Sequence, residues 1–314
     1  MSPLKSRLCP FCQQPAGRLF NPSTPAPAGQ EEAGTVWLCR PCGIAATHPW
    51  MSPEQLSEFY TDTYDCFTEK DGLTARLQQF VHERDLRRVL RHCRKPAPSL
   101  FEIGAGSGAF LACAQQQGLA VDGAEPSEPG RRCAEKRLGI SLSSQPAESV
   151  TFRKRYDILV LRHALEHTLM PKECLMNILE HGLDPEGILY LKLPRLDSWE
   201  AERFGRHWSG LDVPRHRFHF TDAGIRKLLA DTGYRNITIR SDIVPTDLLR
   251  SISSLALEKS GHRKQTLARM TGALPLPVRY LLAQTTALMM APFHSGRMTV
   301  LAVRPCEENK THEA

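Results

Sequence analysis

The stretch Ser99-Leu-Phe-Glu-Ile-Gly-Ala-Gly-Ser-Gly-Ala109 constrains this chain more than any other. Leu100 to Ile103 is a short apolar run bounded by Pro98 and a glycine cluster, which predicts a buried strand. Gly104, Gly106 and Gly108 follow at alternate positions, and Phe110-Leu-Ala-Cys-Ala114 predicts a helix. Glycines at such a strand-to-helix turn let the backbone approach a ligand closely, with the helix N-terminus facing it. Glu102 sits at the strand tip. A second run, Leu119 to Glu125, ends in another acid about twenty residues on, where a βαβ unit meets ribose hydroxyls.

Two nucleotide classes use this arrangement. Gly104-x-Gly106-x-x-Ala109 also satisfies the dinucleotide pattern, so the glycines alone leave NAD open. Glu102, with Gly108 in place, instead resembles the E/D-x-G-x-G-x-G loop of class I S-adenosylmethionine (SAM)-dependent methyltransferases. The resemblance implies a cationic nucleoside without a pyrophosphate, beside which an acid is useful. The loop backbone and a nearby carboxylate would hold its amino-acid end, and Glu125 its ribose.

The 314 residues suffice for a full α/β core and an accessory module. A net charge of +6 permits an anionic partner without demanding nucleic acid. No apolar run reaches the roughly eighteen residues of a membrane span, and Met1 to Lys5 does not open a signal peptide. A reducing, cytoplasmic setting is therefore expected for the ten cysteines. Four are grouped as Cys9-x-x-Cys12 and Cys39-x-x-Cys42, with a Pro/Gly-rich loop from Pro15 to Gly34 between the pairs. This spacing predicts a closed, tetrahedral, structural zinc site that stabilises a module too small to have its own core. Cys66, Cys93, Cys113, Cys133, Cys174 and Cys306 are scattered, as small core or surface residues are.

Ser52-Pro53 with Gln55 predicts a helix start, with Leu56, Phe59 and Tyr60 on one face and Tyr60 and Tyr64 as packing or site residues. From Gly72 to Lys95 a longer helix carries a stripe of Leu73, Leu77, Phe80, Val81, Val89 and Leu90. A basic helix from Ser127 to Leu138 follows, then a weaker strand from Gly139 to Ser143. Strands are predicted at Tyr156 to Leu161, Gly187 to Leu193, Arg235 to Arg240 and Arg297 to Val303, and helices at Pro171 to His181 and Thr221 to Gly233. Alternating βα units of this kind form a parallel sheet with helices on both faces and ligands at the strand C-termini.

Phe101 to Gly108, Tyr156 to His167 and Leu211 to Thr221 occur in an order that resembles one class I methyltransferase group. It includes ubiquinone-biosynthesis O-methyltransferases and bacterial sugar and polysaccharide methyltransferases, and the sugar C-methyltransferases share a double C-x-x-C zinc module. The resemblance implies an α/β, Rossmann-like methyltransferase sheet with a small N-terminal zinc-ribbon module, and the chain departs from it by a C-terminal helical insert before the last strand. The segments are 1–48 (zinc ribbon), 49–95 (helical lead-in and pocket cover), 96–244 (SAM-binding domain), 245–293 (insert) and 294–314 (last strand and tail). Glu102, Gly104, Gly106, Gly108, Glu125, Ala147 and Glu148 would line the cofactor pocket, with Arg162 and His163 at its floor.

His163 and His167 follow a strand tip, where acid/base residues belong. His167 reads equally as a turn cap. His216, beside Arg215 and Arg217, is a further base candidate, on a loop suited to an acceptor phosphate or carboxylate or acting as a lid. The D/N-P-P-Y/F tetrad of many amino-group methyltransferases is absent, since the strand ends in Leu161-Arg-His-Ala164. The expected acceptor is a small molecule or glycan. RNA docked on the ribbon and a silent SAM-binding scaffold are the other readings. In 245–293, Leu248, Ile252 and Leu255 share one face and Val278, Leu281, Leu282, Leu288 and Met289 another. Lys259, Arg263, Lys264, Arg269 and Arg279 lie beside them. The segment reads as a lid or as a peripheral membrane contact.

Overall fold

The computed structural model describes residues 7–20, 34–50, 52, 55, 72–258, 278, 281, 285 and 294–306. In chain order its elements are β1 (Arg7–Leu8), β2 (Pro15–Phe20), β3 (Thr35–Cys39), β4 (Ile44–His48), α1 (Gly72–Leu90), β5 (Ser99–Ile103), α2 (Ala109–Gln116), β6 (Ala120–Ala124), α3 (Glu128–Leu138), β7 (Tyr156–Arg162), α4 (Pro171–Asn177), β8 (Leu183–Pro194), α5 (Trp199–Phe204), β9 (Phe218–Phe220), α6 (Asp222–Asp231), β10 (Arg235–Asp242), α7 (Pro245–Glu258) and β11 (Arg297–Val303). They divide into two compact units. One comprises Met1–Trp50, Leu193–Ile225 and Ile239–Thr299, the other Met51–Lys192, Arg226–Thr238 and Val300–Ala314.

The second unit is a Rossmann-like α/β layer structure. Its sheet runs β10-β11-β8-β7-β5-β6, and β5 pairs parallel with both β6 and β7. The crossover from β5 to β6 goes one way and the next strand, β7, lies on the other side of β5. That reversal opens a crevice at the C-terminal ends of β5 and β7, where open α/β sheets bind ligands. Leu100, Ile158, Val160, Ile188 and Tyr190 of the sheet pack with Leu86 and Val89 of α1 and Phe110 and Leu111 of α2. Burial of each such side chain contributes about 1.5–3 kcal/mol. Helix α3 starts at Ser127 with Pro129 in its first turn and stops at Gly139, whose φ of 70° suits a residue without Cβ.

In α1, Val89 is buried and Leu90 packs against the core as expected, but the buried face also holds His82, Asp85 and Leu86, Phe80 is exposed, and the side chain of Leu73 lies outside the described residues. The weak strand expected at Gly139 to Ser143 is a single bridge between Ala124 and Ser143.

The first unit is built on an antiparallel sheet, β1-β2-β3-β4-β9. The region expected as a loop from Pro15 begins with strand β2, which pairs with β3 through Gly17↔Leu38, Arg18↔Trp37 and Phe20↔Val36. Val36, Ala45, Phe204, Trp208, Leu211 and Leu248 form its core, with Ile252 and Leu255 packed against it. The apolar face of α7 is thereby used within the unit. No helix among the described residues is long and apolar enough to cross a membrane.

Ser52 and Gln55 exchange the two hydrogen bonds of a capping box, backbone N–H to side-chain oxygen in both directions. The expectations for Leu56, Phe59, Tyr60, Tyr64, Cys66, Leu282, Leu288, Met289 and the basic residues Lys259 to Arg279 fall outside the described residues.

Candidate active site and metal centre

At the tip of β5, the N–H groups of Gly104 and Ala105 both donate to the Ala124 carbonyl, at 2.8 and 3.1 Å. The turn is therefore pinned to the end of β6. Gly104 has φ of 74°, and a Cβ there would lie 2.9 Å from that of Ala164. Gly106 takes φ of 55° and Gly108 φ of 70°. A Cβ on Gly108 would meet the Ala134 Cα of α3 at 3.0 Å, so this glycine permits close packing of the α2 start on α3.

Two buried carboxylates converge on the turn. Glu125 Oε2 accepts from the Gly106 N–H at 2.7 Å and Oε1 from the Ser127 N–H at 2.8 Å. Burial pushes its pKa up, opposed by those two bonds. Glu102 has Oε1 3.8 Å from Arg162 Nη1, while its buried Oε2 has no hydrogen-bond partner among the described residues. Burial pushes Glu102 up to about 8, with Arg162 opposing and Glu125 adding to the rise. The Arg162 guanidinium lies over the Phe110 ring at 4.5 Å.

Ala147–Ser149 forms one helical turn, from which Glu148 Oε1 accepts the Leu169 N–H and, at 3.4 Å, the Met170 N–H. His163 is held at φ of 56°, its N–H donating to the Lys192 carbonyl and its Nδ1 3.2 Å from Glu166 Oε1. A non-glycine residue in this region is strained, as site residues often are. His167 closes the next turn, its N–H donating to Ala164 O at 3.1 Å.

Sequence reasoning missed a buried polar layer beside this turn. Asp85 Oδ2 and Lys192 Nζ pair at 3.0 Å with both side chains buried. Although burial raises the Asp85 pKa, the Lys192, Arg162 and Arg84 charges bring it below its ordinary value. His82 lies edge-on to Phe110, with neither ring nitrogen hydrogen-bonded to any described residue. Burial, with the charges of Arg162, Lys192 and Arg137, pushes it down to about 2, so it is neutral. The available signal was Asp85 three residues after His82, on the helix face that carries Leu86 and Val89.

In the other unit the four predicted cysteines come together. Cys9 Sγ is 3.8 Å from Cys42 Sγ, Cys12 Sγ is 3.5 Å from Cys39 Sγ, and all four lie within 4.8 Å of one another. Tetrahedral Zn–S bonds of about 2.3 Å set sulfur–sulfur distances of about 3.8 Å, so the donor set fits zinc. The two knuckles are built alike. Gln13 donates to Cys9 O and Gly43 to Cys39 O, each at 2.9 Å, with positive φ of 60° and 67°. The Phe11 N–H points at Cys9 Sγ, 3.4 Å away. Burial pushes the Cys39 thiol up to about 11 and that of Cys42 higher still. A bound cation offsets that cost, because it is the thiolate that ligates.

His216 belongs to this same unit. Its Nδ1 is 2.9 Å from the Gly210 carbonyl, which requires the proton on Nδ1, and its Nε2 is 3.6 Å from Asp212 Oδ2. Arg215, expected to serve an anionic acceptor, is bidentate to Asp212 at 2.8 and 2.7 Å. Arg217 is buried, its guanidinium 5.9 Å from the Trp50 ring centre.

A glycine turn between β5 and α2, at the switch point of a mostly parallel sheet, with an acid near the end of each of β5 and β6, is the arrangement of a Rossmann-like nucleotide site. A family model described as a methyltransferase domain matches residues 73–239, more than half of the chain, and the chain belongs to that family. No curated protein matches it in sequence.

Among solved structures it is similar to Haemonchus contortus phosphoethanolamine N-methyltransferase 2 in complex with SAM. The TM-score is 0.54 at 16% identity, over 83% of this chain and 62% of that one. The same enzyme with phosphomonomethylethanolamine and S-adenosylhomocysteine gives 0.52 at 17%, over 81% and 61%. A SAM-dependent methyltransferase from Archaeoglobus fulgidus gives 0.48 at 17%, over 72% and 94%. At these identities the likeness concerns the fold.

Proposed function

We propose that the protein is a class I SAM-dependent methyltransferase acting on a small-molecule or glycan acceptor, with a structural zinc at its four grouped cysteines. The observation that carries this reading is the engagement of the loop by acid. The Gly106 N–H, which a dinucleotide pyrophosphate would use, already donates to Glu125 at 2.7 Å. Glu102 adds a second buried carboxyl with one oxygen unsatisfied among the described residues. Two buried carboxyls make a poor seat for a pyrophosphate and, once ionised, suit a ligand carrying an ammonium and a sulfonium.

SAM supplies a methyl group already activated on sulfur, so the chain's own work is binding, alignment and, for a hydroxyl acceptor, removal of a proton. Glu102 would take the ammonium of the amino-acid end, and Gly104, Gly106 and Gly108 let the backbone approach it. Glu125 would accept from the ribose hydroxyls, since each of its oxygens keeps a further lone pair. The Ala147–Glu148 turn would border the base, and Arg162 the carboxylate. His163, His167 and His216 are the candidate bases. In His216 the Nδ1 proton is committed to the Gly210 carbonyl. Cys9, Cys12, Cys39 and Cys42 would hold zinc with no open position, which gives it a structural role.

Titration calorimetry tests the cofactor assignment: SAM and S-adenosylhomocysteine should bind at one site per chain and NADH should not. Labelled SAM incubated with fractionated cell extract tests the acceptor class. Label recovered in a small molecule or glycan supports the reading, and label confined to RNA opposes it.

A further inference from the structure

The cysteine cluster and the segment carrying His216 are consecutive parts of one hydrogen-bonded sheet. Cys39 ends β3, and β4 begins just after Cys42. β4 then pairs antiparallel with β9 through Ile44↔Phe220, Ala45↔His219 and Ala46↔Phe218. The second knuckle also grips the far end of that segment. The Gly43 carbonyl accepts the Thr221 N–H at 3.1 Å and its hydroxyl at 2.7 Å, and Thr221 Oγ1 accepts the Gly224 N–H at 3.0 Å. The fit is tight: a Cβ on Gly224 would lie 2.3 Å from the Gly43 oxygen.

Thr47, fully buried, closes the near end. Its N–H donates to the Arg217 carbonyl at 2.9 Å. Its hydroxyl donates to the His216 carbonyl at 2.7 Å and lies 2.9 Å from His219 Nε2. A hydroxyl has one proton, and the carbonyl can only accept. His219 must therefore carry its proton on Nε2 and donate it to Thr47, which fixes its tautomer.

We propose that metal occupancy of the Cys9–Cys12–Cys39–Cys42 site sets the geometry of the His216–Thr221 segment, with Thr47 as its positioning residue. The inference rests on the zinc reading above. It gives the cluster a task beyond stabilising a small module. The knuckle fixes where Gly43 and β4 begin, β4 fixes β9, and Thr47 with Thr221 clamps the backbone at both ends of the histidine- and arginine-bearing stretch.

Two measurements on the full chain test it. Hydrogen exchange is followed before and after chelation of the zinc-loaded protein. Protection of 44–48 and 216–221 should fall together by about tenfold or more, while 99–106 changes by less than about twofold. Separately, Thr47→Val and Thr47→Ser are prepared with zinc bound, and the histidine ring nitrogens are read by nitrogen-15 NMR. In Thr47→Val the His219 ring should lose its fixed Nε2–H signature, and Thr47→Ser should keep it, both with wild-type zinc content and tryptophan fluorescence. Zinc-loaded protein whose 216–221 protection ignores chelation, or Thr47→Val with unchanged His219 signals, overturns the inference and leaves the zinc reading standing. A protein that neither carries nor takes up zinc overturns both.

Discussion

The two units handle buried polar groups in opposite ways. In the Rossmann-like unit the chain supplies its own counter-groups: Asp85 pairs with Lys192 and Glu102 faces Arg162, with one Glu102 oxygen unpartnered among the described residues. In the other unit, three of the four grouped cysteines are buried and one is half-buried. Among the described residues their sulfurs face one another, and Cys9 Sγ also accepts the Phe11 N–H. A buried ion pair is satisfied by the chain alone, whereas a cluster of thiolates requires a cation. The first unit should therefore depend on metal and the second should not.

Removal of zinc gives the largest expected difference. Structural zinc in small modules is worth about 10–16 kcal/mol. All four tryptophans, Trp37, Trp50, Trp199 and Trp208, lie in the first unit, so their fluorescence reports on it alone. Chelation, or Cys39→Ser, should collapse that signal while S-adenosylhomocysteine binding changes by less than about threefold. Unchanged fluorescence in metal-free protein would erase the contrast.

A second break goes into the other unit. Asp85→Asn leaves Lys192 buried without its counter-charge and should cost about 3–5 kcal/mol of stability. The double change Asp85→Leu with Lys192→Met should recover most of the loss. Equal denaturation midpoints for wild type and Asp85→Asn would show that the pair is not closed.

The glycine turn sharpens the comparison at a smaller scale. Gly104→Ala places a Cβ 2.9 Å from that of Ala164 at a left-handed φ. That strain of about 1–3 kcal/mol should weaken SAM binding by about tenfold to a hundredfold, with zinc content unaffected. Wild-type affinity would move the pocket elsewhere.

The smallest effect is a pH dependence. Glu102 is pushed up to about 8, so below that pH its carboxyl carries a proton in the free protein. A cationic ligand favours the carboxylate, and binding then releases the proton. SAM affinity should accordingly rise with pH, by about tenfold per unit at most, and level off above 8. Glu102→Gln should flatten that part of the profile. A slope shared by wild type and Glu102→Gln would assign the titration to SAM itself.

The parts legible in sequence are those with local signals. The glycine turn, the doubled C-x-x-C, the buried run of β7 and the Thr221 cap each rest on a few neighbouring residues, and each is found where expected. β9 was not legible: Phe218-His219-Phe220 spans three residues, and its partner β4 is distant in sequence, so only tertiary pairing defines it. The buried layer was missed for a different reason. His82 and Asp85 are polar residues on a helix, which patterning assigns to the solvent face, while Phe80, counted with the apolar stripe, is exposed. The Arg215–Asp212 pair was not anticipated, although both residues lie within one short loop.

The central claim is that two buried acids adapt a glycine turn to a cationic nucleoside, and calorimetric titration of the zinc-loaded protein with SAM and with NADH addresses it directly. One SAM bound per chain at micromolar affinity, lost by about a hundredfold in Glu125→Ala and with no NADH binding, is the predicted result. NADH binding with SAM excluded, or SAM affinity untouched by Glu125→Ala, would contradict it.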